Sequence, residues 1–253
     1  MKNFEYIEDD IDVDTTCISD TPSDILYFDI ETTGLSANRS DLYLIGVGFC
    51  KENKFHTQFL FNDDGCSEPE MLTKFAEYIS AYRYLVSYNG DTFDIPYIKT
   101  KMQQFDVYCS FDDICSVDIY KTTRKYKKLF NLDSVKQIDI EDLVGFKRNI
   151  FISGGNLINT YKEYLNLGSQ NLLNDLMTHN HDDVRGLISI TGFLNLPLIY
   201  TGLSTTYINV TDDSIDFICS IPPIPCRITY ASPAMRINAV DSQFRISIPL
   251  THG

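Results

Sequence analysis

Three places in this 253-residue sequence carry acids where an apolar residue would be expected. The first is "LYFDIETTGL", Leu26 to Leu35, where Asp29 and Glu31 are split by one isoleucine at the end of an apolar run. In an extended chain residues two apart share a face, so a strand here presses two carboxylates together beside the core. Like charges held away from water are costly unless something neutralises them. The second is Asp94 in "SYNGDTFDIPYI", where a strand over 84–89 breaks at Asn89-Gly90 and a helix begins. The third is "THNHDDVRGLISITGFL". On a helix, Val184, Leu187, Ile188, Thr191 and Leu194 face the core; one turn before Leu187 lies Asp183, and one turn before that His179. Asp182 falls about 100° away with Thr178, Arg185 and Ser189, on what reads as the solvent face. Taken singly, Asp94 could be a helix cap and His179 with Asp183 a surface i,i+4 pair. Taken together, Asp29, Glu31, Asp94, Asp183 and His179 call for a pair of divalent cations, because hard cations take oxygen ligands and cancel the repulsion. Magnesium or manganese suits such a set better than zinc. His179, with an ordinary pKa of about 6.5, is the candidate general base at neutral pH, and His181 is its rival.

The elements that must position these residues follow from periodicity. Strands are predicted at about 25–31, 42–49, 54–61 and 84–89, the middle two joined by "CKEN" as a hairpin. "SEPEMLTKFAEYISAY" opens with Ser67 and Glu70 at capping-box spacing and continues as an apolar helical stripe, Leu72, Phe75, Ala76 and Ile79. A second helix starts within "FDIPYIKTKMQQF", and past residue 115 the pattern is mostly helical up to Phe193. Beyond about Tyr200, "SIDFICSI" and "FRISIPL" alternate apolar and polar residues between turn-like stretches, as in a small antiparallel sheet. The reading is an α/β fold with a mixed sheet over 25–200 and a β-rich appendage over 201–253. Because the chain stops just after the last strand pattern, it reads as cut from something longer.

Residues 1–24 hold eight acids against one lysine and are expected to form a flexible acidic arm. Within them "DDIDVD" lacks the glycine and glutamate of a calcium loop. The net charge of −14 counts against general nucleic-acid binding, which draws its affinity from Lys and Arg on phosphates. Yet "KTTRKYKK", Lys121 to Lys128, packs five positive charges into eight residues, so the total does not exclude a nucleic-acid substrate. Seven cysteines without a C-x-x-C pair or a secretory signal suggest free thiols in a reducing cytoplasm. No apolar run approaches the roughly 18–20 residues that cross a membrane.

"FDIETTGL", "YNGDTFD" and "HNHDDV" resemble, in order and spacing, the three motifs of the DEDD superfamily of 3′–5′ exonucleases. "SVDIYKTTRKYKK" and "LVGFKRNIFISGGNLINTYKEYLNLG" resemble more closely the bacterial YprB-like group of ribonuclease H-like exonucleases. The resemblance covers roughly 25–200. It implies a ribonuclease H-like fold and two-metal hydrolysis, with Mg2+ or Mn2+ held by Asp29, Glu31, Asp94 and Asp183. The substrate implied is the 3′ end of single-stranded DNA or RNA. One subfamily carries Tyr four residues before the last Asp and another His five before it; here His179 stands at the four-residue spacing, mixing the two. Leu35 matches the residue that wedges against the terminal base in proofreading relatives, and Thr33 would add polar contacts; alternatively both only shape the turn. Asn89 matches the Asn of the second motif, though Asn-Gly is also a turn signal. Lys125, Lys127 and Lys128 would touch phosphates or form a solvated helix face, and Asp118 reads as structural. An endonuclease of structured nucleic acid, or a non-catalytic nucleic-acid or protein-binding module, are the rival functions.

Overall fold

Alternation along one strand divides the first layer of the fold. In β2 (Ile25–Thr32), Leu26, Phe28 and Ile30 are buried in one apolar cluster with residues of α1 (Glu68–Ala81) and α2 (Asp94–Gln104), among them Met71, Leu72, Phe75 and Ile98. Tyr27, Asp29 and Glu31 therefore take the opposite face, as period-two geometry requires. Each fully buried Leu, Ile or Phe of the cluster contributes about 1.5–3 kcal/mol over its exposed state, which fixes the register that puts both acids on the other side.

The computed structural model describes residues 1–198 and 204–250. They fall into two compact units, Met1–Asp118 with Lys147–Ser189, and Ile119–Phe146 with the described part of Ile190–Gly253. The first unit holds a six-stranded mixed sheet. Its order is β1 (Lys2–Glu8), β4 (Lys54–Phe61), β3 (Leu42–Lys51), β2, β5 (Tyr84–Ser87), β6 (Cys115–Asp118). The first four strands run antiparallel to one another, and β5 and β6 join parallel to β2. Beside β2 and β3 lies α6 (Gln170–Ser189), with α5 (Gly154–Leu167) next to it. Gly46 and Gly48 of β3 admit α6 to close range: a Cβ at Gly48 would stand 2.9 Å from both Val184 Cγ1 and Ile188 Cδ1. Behind the sheet a buried ion pair, Lys101 Nζ to Glu68 Oε1 at 3.0 Å, joins α2 to α1, and Glu68 also accepts the Leu42 backbone N–H.

The second unit contains α3 (Ile119–Tyr126), α4 (Gln137–Val144) and a five-stranded antiparallel sheet. Its strands are β7 (Ser204–Val210), β8 (Ser214–Ser220), β9 (Ile228–Ala231), β10 (Arg236–Val240) and β11 (Gln243–Pro249), in the order β7-β8-β11-β10-β9. Among the described residues no helix is long and apolar enough to cross a membrane. The seven cysteines are free.

Four expectations need correcting. Residues 2–8, assigned to a flexible acidic arm, are the edge strand β1, paired with β4 from Lys2↔Phe61 to Glu8↔Phe55. Glu8 locks that strand: its carboxylate accepts from Thr57 Oγ1 at 2.6 Å and meets His181 Nε2 at 2.6 Å and Arg185 Nε at 3.2 Å. The region past 115 opens with a strand, β6, before its helices. Helix α6 ends at Ser189, so Thr191 lies in a separate 3-10 turn over Thr191–Asn195. Asp182 is fully buried rather than solvent-facing. As for organisation, residues 119–146 group with the C-terminal sheet, and the boundary expected at 200/201 falls outside the described residues.

Candidate active site

The second half of β2, the start of α2 and the middle of α6 bring together Asp29, Glu31, Asp94, His179 and Asp183. Asp94 is buried at the first position of α2, where its carboxylate accepts backbone N–H groups from Asp94 itself and from Ile30, the residue between Asp29 and Glu31. Gly90 makes that turn possible, since a Cβ there would stand 2.6 Å from Ser87 Cβ. On α6, His179 Nε2 lies 3.2 Å from Asp183 Oδ2, one turn away, and 3.4 Å from Glu31 Oε1. Tyr43 donates its hydroxyl to Glu31 Oε2 at 3.3 Å, and its ring stacks on Tyr161 of α5 with centroids 4.3 Å apart. Asn180 donates through Nδ2 to Asp29 Oδ2 at 2.7 Å. It can do so because Gly46 stands directly opposite Asp29 in the β2–β3 ladder; a Cβ there would overlap Asn180 Oδ1 and approach Val184 Cγ2 to 2.9 Å.

Burial and like charge act in the same direction on these acids. Burial above all, then the charges of Asp183, Asp94 and Glu31, holds Asp29 well above the usual carboxylate range. Glu31 is raised by burial and by Asp183 and Asp94, against the opposing bond from Tyr43. Asp94 is raised by burial and by Asp118 and Asp183, although its backbone N–H bonds pull it back. His179 is pushed down: burial outweighs the attraction of Asp183, and the Arg148 guanidinium adds to the downward push. The imidazole at this site is therefore favoured in its neutral form. Asp29, Glu31 and Asp94, whose charged forms are disfavoured, crowd together with Asp183, and a bound cation would relieve that repulsion. The ligand atoms of Glu31, His179 and Asp183 lie within 4.8 Å of one another, and hard oxygen donors suit Mg2+ or Mn2+. The residues present fit the metal.

The RNase_H superfamily model RNase_H_2 matches residues 26–195, two thirds of the sequence, and spans every one of these residues. The chain belongs to the RNase H superfamily. The family B DNA polymerase of the hyperthermophilic archaeon Pyrobaculum calidifontis superposes with TM-score 0.54 at 18% identity, over 69% of this chain and 24% of the polymerase. This chain thus spans about a quarter of that protein, and the likeness is one of fold. E. coli ExoI, in a zinc-bound complex with ssDNA, aligns over 83% of this chain and 54% of its own at 13% identity, with a TM-score of only 0.43. No curated protein matches the sequence significantly.

Within this RNase H-type sheet the other sequence candidates go to different places. His181 turns from the acids to Glu8 and stacks on Tyr6, with ring centroids 5.1 Å apart. Thr33 shapes its turn, exchanging bonds with the Asp41 backbone at 2.9 and 2.8 Å, while Leu35 beside it is 89% exposed. Asn89 takes a left-handed φ of 64° and gives its N–H to Asp118 Oδ1 at 2.7 Å, so both build the turn before α2. Lys125, on α3, and Lys128, just after it, are exposed in the second unit, and Lys127 bonds the Asp133 carbonyl.

Four residues around the site escaped the sequence reading. Arg148 pairs with Asp183 Oδ1 at 2.7 Å. Asp182 accepts from Asn149 N at 2.6 Å, Asn149 Nδ2 at 2.8 Å and Ile150 N at 3.0 Å. Asn180 and Tyr43 complete the set. Only Asn180 had a signal to find: the glycines of "GVG" in β3 mark a close approach of another chain segment.

Proposed function

We propose that this RNase H-superfamily chain is a metal-dependent 3′–5′ exonuclease of DEDD type, akin to the YprB-like group, acting on single-stranded DNA or RNA. The observation that carries the reading is the meeting of four acids from three separate elements with one histidine whose Nε2 faces two of them. Asp29, Glu31, Asp94 and Asp183 would hold two Mg2+ or Mn2+ ions, which supply Lewis-acid activation of water and charge stabilisation at the phosphate. The chain's own residues do the rest. Asn180 and the Ile30 N–H orient the Asp29 and Asp94 carboxylates. His179 Nε2 takes the proton of the attacking water. As the P–O3′ bond breaks, the strand is left with a 3′ hydroxyl and the terminal nucleotide departs as a 5′-monophosphate. Leu35, exposed in the turn after β2, would meet the terminal base.

The test compares 5′-labelled linear strands with circular single strands, as DNA and as RNA, with and without Mn2+. Stepwise shortening of the linear strands with circles left intact supports the reading. Cut circles make the protein an endonuclease, and binding without cleavage makes it a binding module. In the same assay His179→Ala should lower turnover by about two to four powers of ten, His179→Tyr should recover part of it, and His181→Ala should change it little.

A further inference from the structure

Two consecutive aspartates on α6 have different tasks, and together they place an arginine. Asp182 is 0% exposed and accepts three bonds from Asn149 and Ile150, so it clamps the backbone of the segment that precedes α5. Asp183, the next residue, receives the side chain which that clamped segment delivers: Arg148 Nη2 reaches its Oδ1 at 2.7 Å, with the arginine side chain 12% exposed. Asp183 Oδ2 meanwhile faces His179 at 3.2 Å. A phosphodiester brought to four acids needs positive charge from the protein as well as from metal. A guanidinium is charged at every working pH, and its planar fork of N–H donors matches the oxygens of a phosphate.

We propose that Arg148 is the phosphate-binding residue of this site, contacting a non-bridging oxygen of the terminal nucleotide's phosphate, with Asp182 as the positioning residue that holds its segment. This rests on the nuclease reading and adds to it the recognition of the 5′-phosphate that the departing nucleotide carries. A bland ion pair serving only to steady Asp183 is the competing account, and the two differ in what the arginine's loss disturbs.

The experiment measures two bindings on the whole chain, Mn2+ by electron paramagnetic resonance and thymidine 5′-monophosphate by calorimetry on the Mn2+-loaded protein, with circular dichroism as the check on folding. Arg148→Gln should keep Mn2+ affinity equal or tighter, since a competing cation has left Asp183. It should weaken nucleotide binding roughly ten- to a hundredfold, the range for a lost charge-assisted hydrogen bond. Arg148→Lys should recover only part, because an ammonium lacks the fork. Asp182→Asn should weaken nucleotide binding by a smaller factor at unchanged Mn2+ affinity. Nucleotide binding that stays at the wild-type level in Arg148→Gln overturns the proposal while leaving the metal site standing. So does a fall in Mn2+ affinity that by itself accounts for the nucleotide loss. If Arg148→Gln does not fold, Arg148→Lys decides, and wild-type nucleotide affinity in it overturns the proposal. A wild-type protein that binds no Mn2+ refutes the nuclease reading itself, and this proposal with it.

Discussion

Asp29 is a side chain whose charge works against stability. It is held beside Glu31, Asp94 and Asp183, all of whose charges oppose its ionisation, and Asn180 donates to it at 2.7 Å. Replacing it by Asn removes a charge but keeps the shape. The expected result is loss of turnover by about a thousandfold or more, the rate equivalent of several kcal/mol of lost electrostatic stabilisation, together with equal or higher thermal stability in chelator. Calorimetric scans with and without Mn2+ check this: the wild type should gain stability on adding the ion and Asp29→Asn should gain little. A near-wild-type rate in the mutant would end the metal-site account. Residues of this kind were legible because strand and helix periods assign faces without any tertiary knowledge. That is why Asp29 with Glu31, and His179 with Asp183, could be paired from spacing alone. Asp182 was misplaced by the same rule. Periodicity gives an angle around the helix, and only the fold shows that residues 149 and 150 cover that angle.

Among the elements, α6 joins two jobs. Residues 179, 180 and 183 serve the site, while His181 and Arg185 hold the edge strand β1 through Glu8. The approach of this helix to the sheet depends on Gly46, so Gly46→Ala should push Asn180 off Asp29. The cost should be about 1–3 kcal/mol of stability from overpacking, with a fall in activity larger than that of the more distant Gly48→Ala; denaturant melts and turnover measure the two. The Glu8 anchor predicts a pH effect. Burial drives its carboxyl up, but the bonds from His181 and Thr57 and the charge of Arg185 prevail, and it lies below its ordinary 4.5. A depressed acid stabilises the fold above its unfolded pKa, and that contribution fades as pH falls through the lower folded value. Wild type should therefore lose more stability than Glu8→Gln between neutrality and the acid side of pH 4.5, and equal losses would show that the anchor contributes nothing. β1 itself was illegible for a physical reason. Its acids gave the segment the composition of a solvated tail, and its partner strand β4 lies some fifty residues away, beyond the reach of any local pattern.

At the level of the whole molecule, a net charge of −14 would have to coexist with the polyanionic substrate proposed for it. The basic run belongs to the second unit, and its side chains at 125 and 128 are exposed. If Lys125, Lys127 and Lys128 each contact a phosphate, changing all three to Ala should flatten the log–log salt dependence of single-strand binding by about 0.7 per contact, with turnover at saturation unchanged. An unaltered slope would make the run a solvated face. Four strands of the mixed sheet were visible in the sequence as apolar runs, and β8 and β11 of the small sheet as alternation, whereas the grouping of 119–146 with the C-terminal strands was not, because sequence order hides it.

The exposed turn after β2 offers an optical handle. The sequence contains sixteen tyrosines and no tryptophan, so a single indole would emit alone at the red edge of tyrosine absorption. Leu35, 89% exposed and without a packing role to lose, is the position at which Leu35→Trp adds that indole at little cost. Quenching of its fluorescence by an arriving strand would time the seating of the terminal base separately from any bond cleavage, in a protein that is otherwise dark at that wavelength.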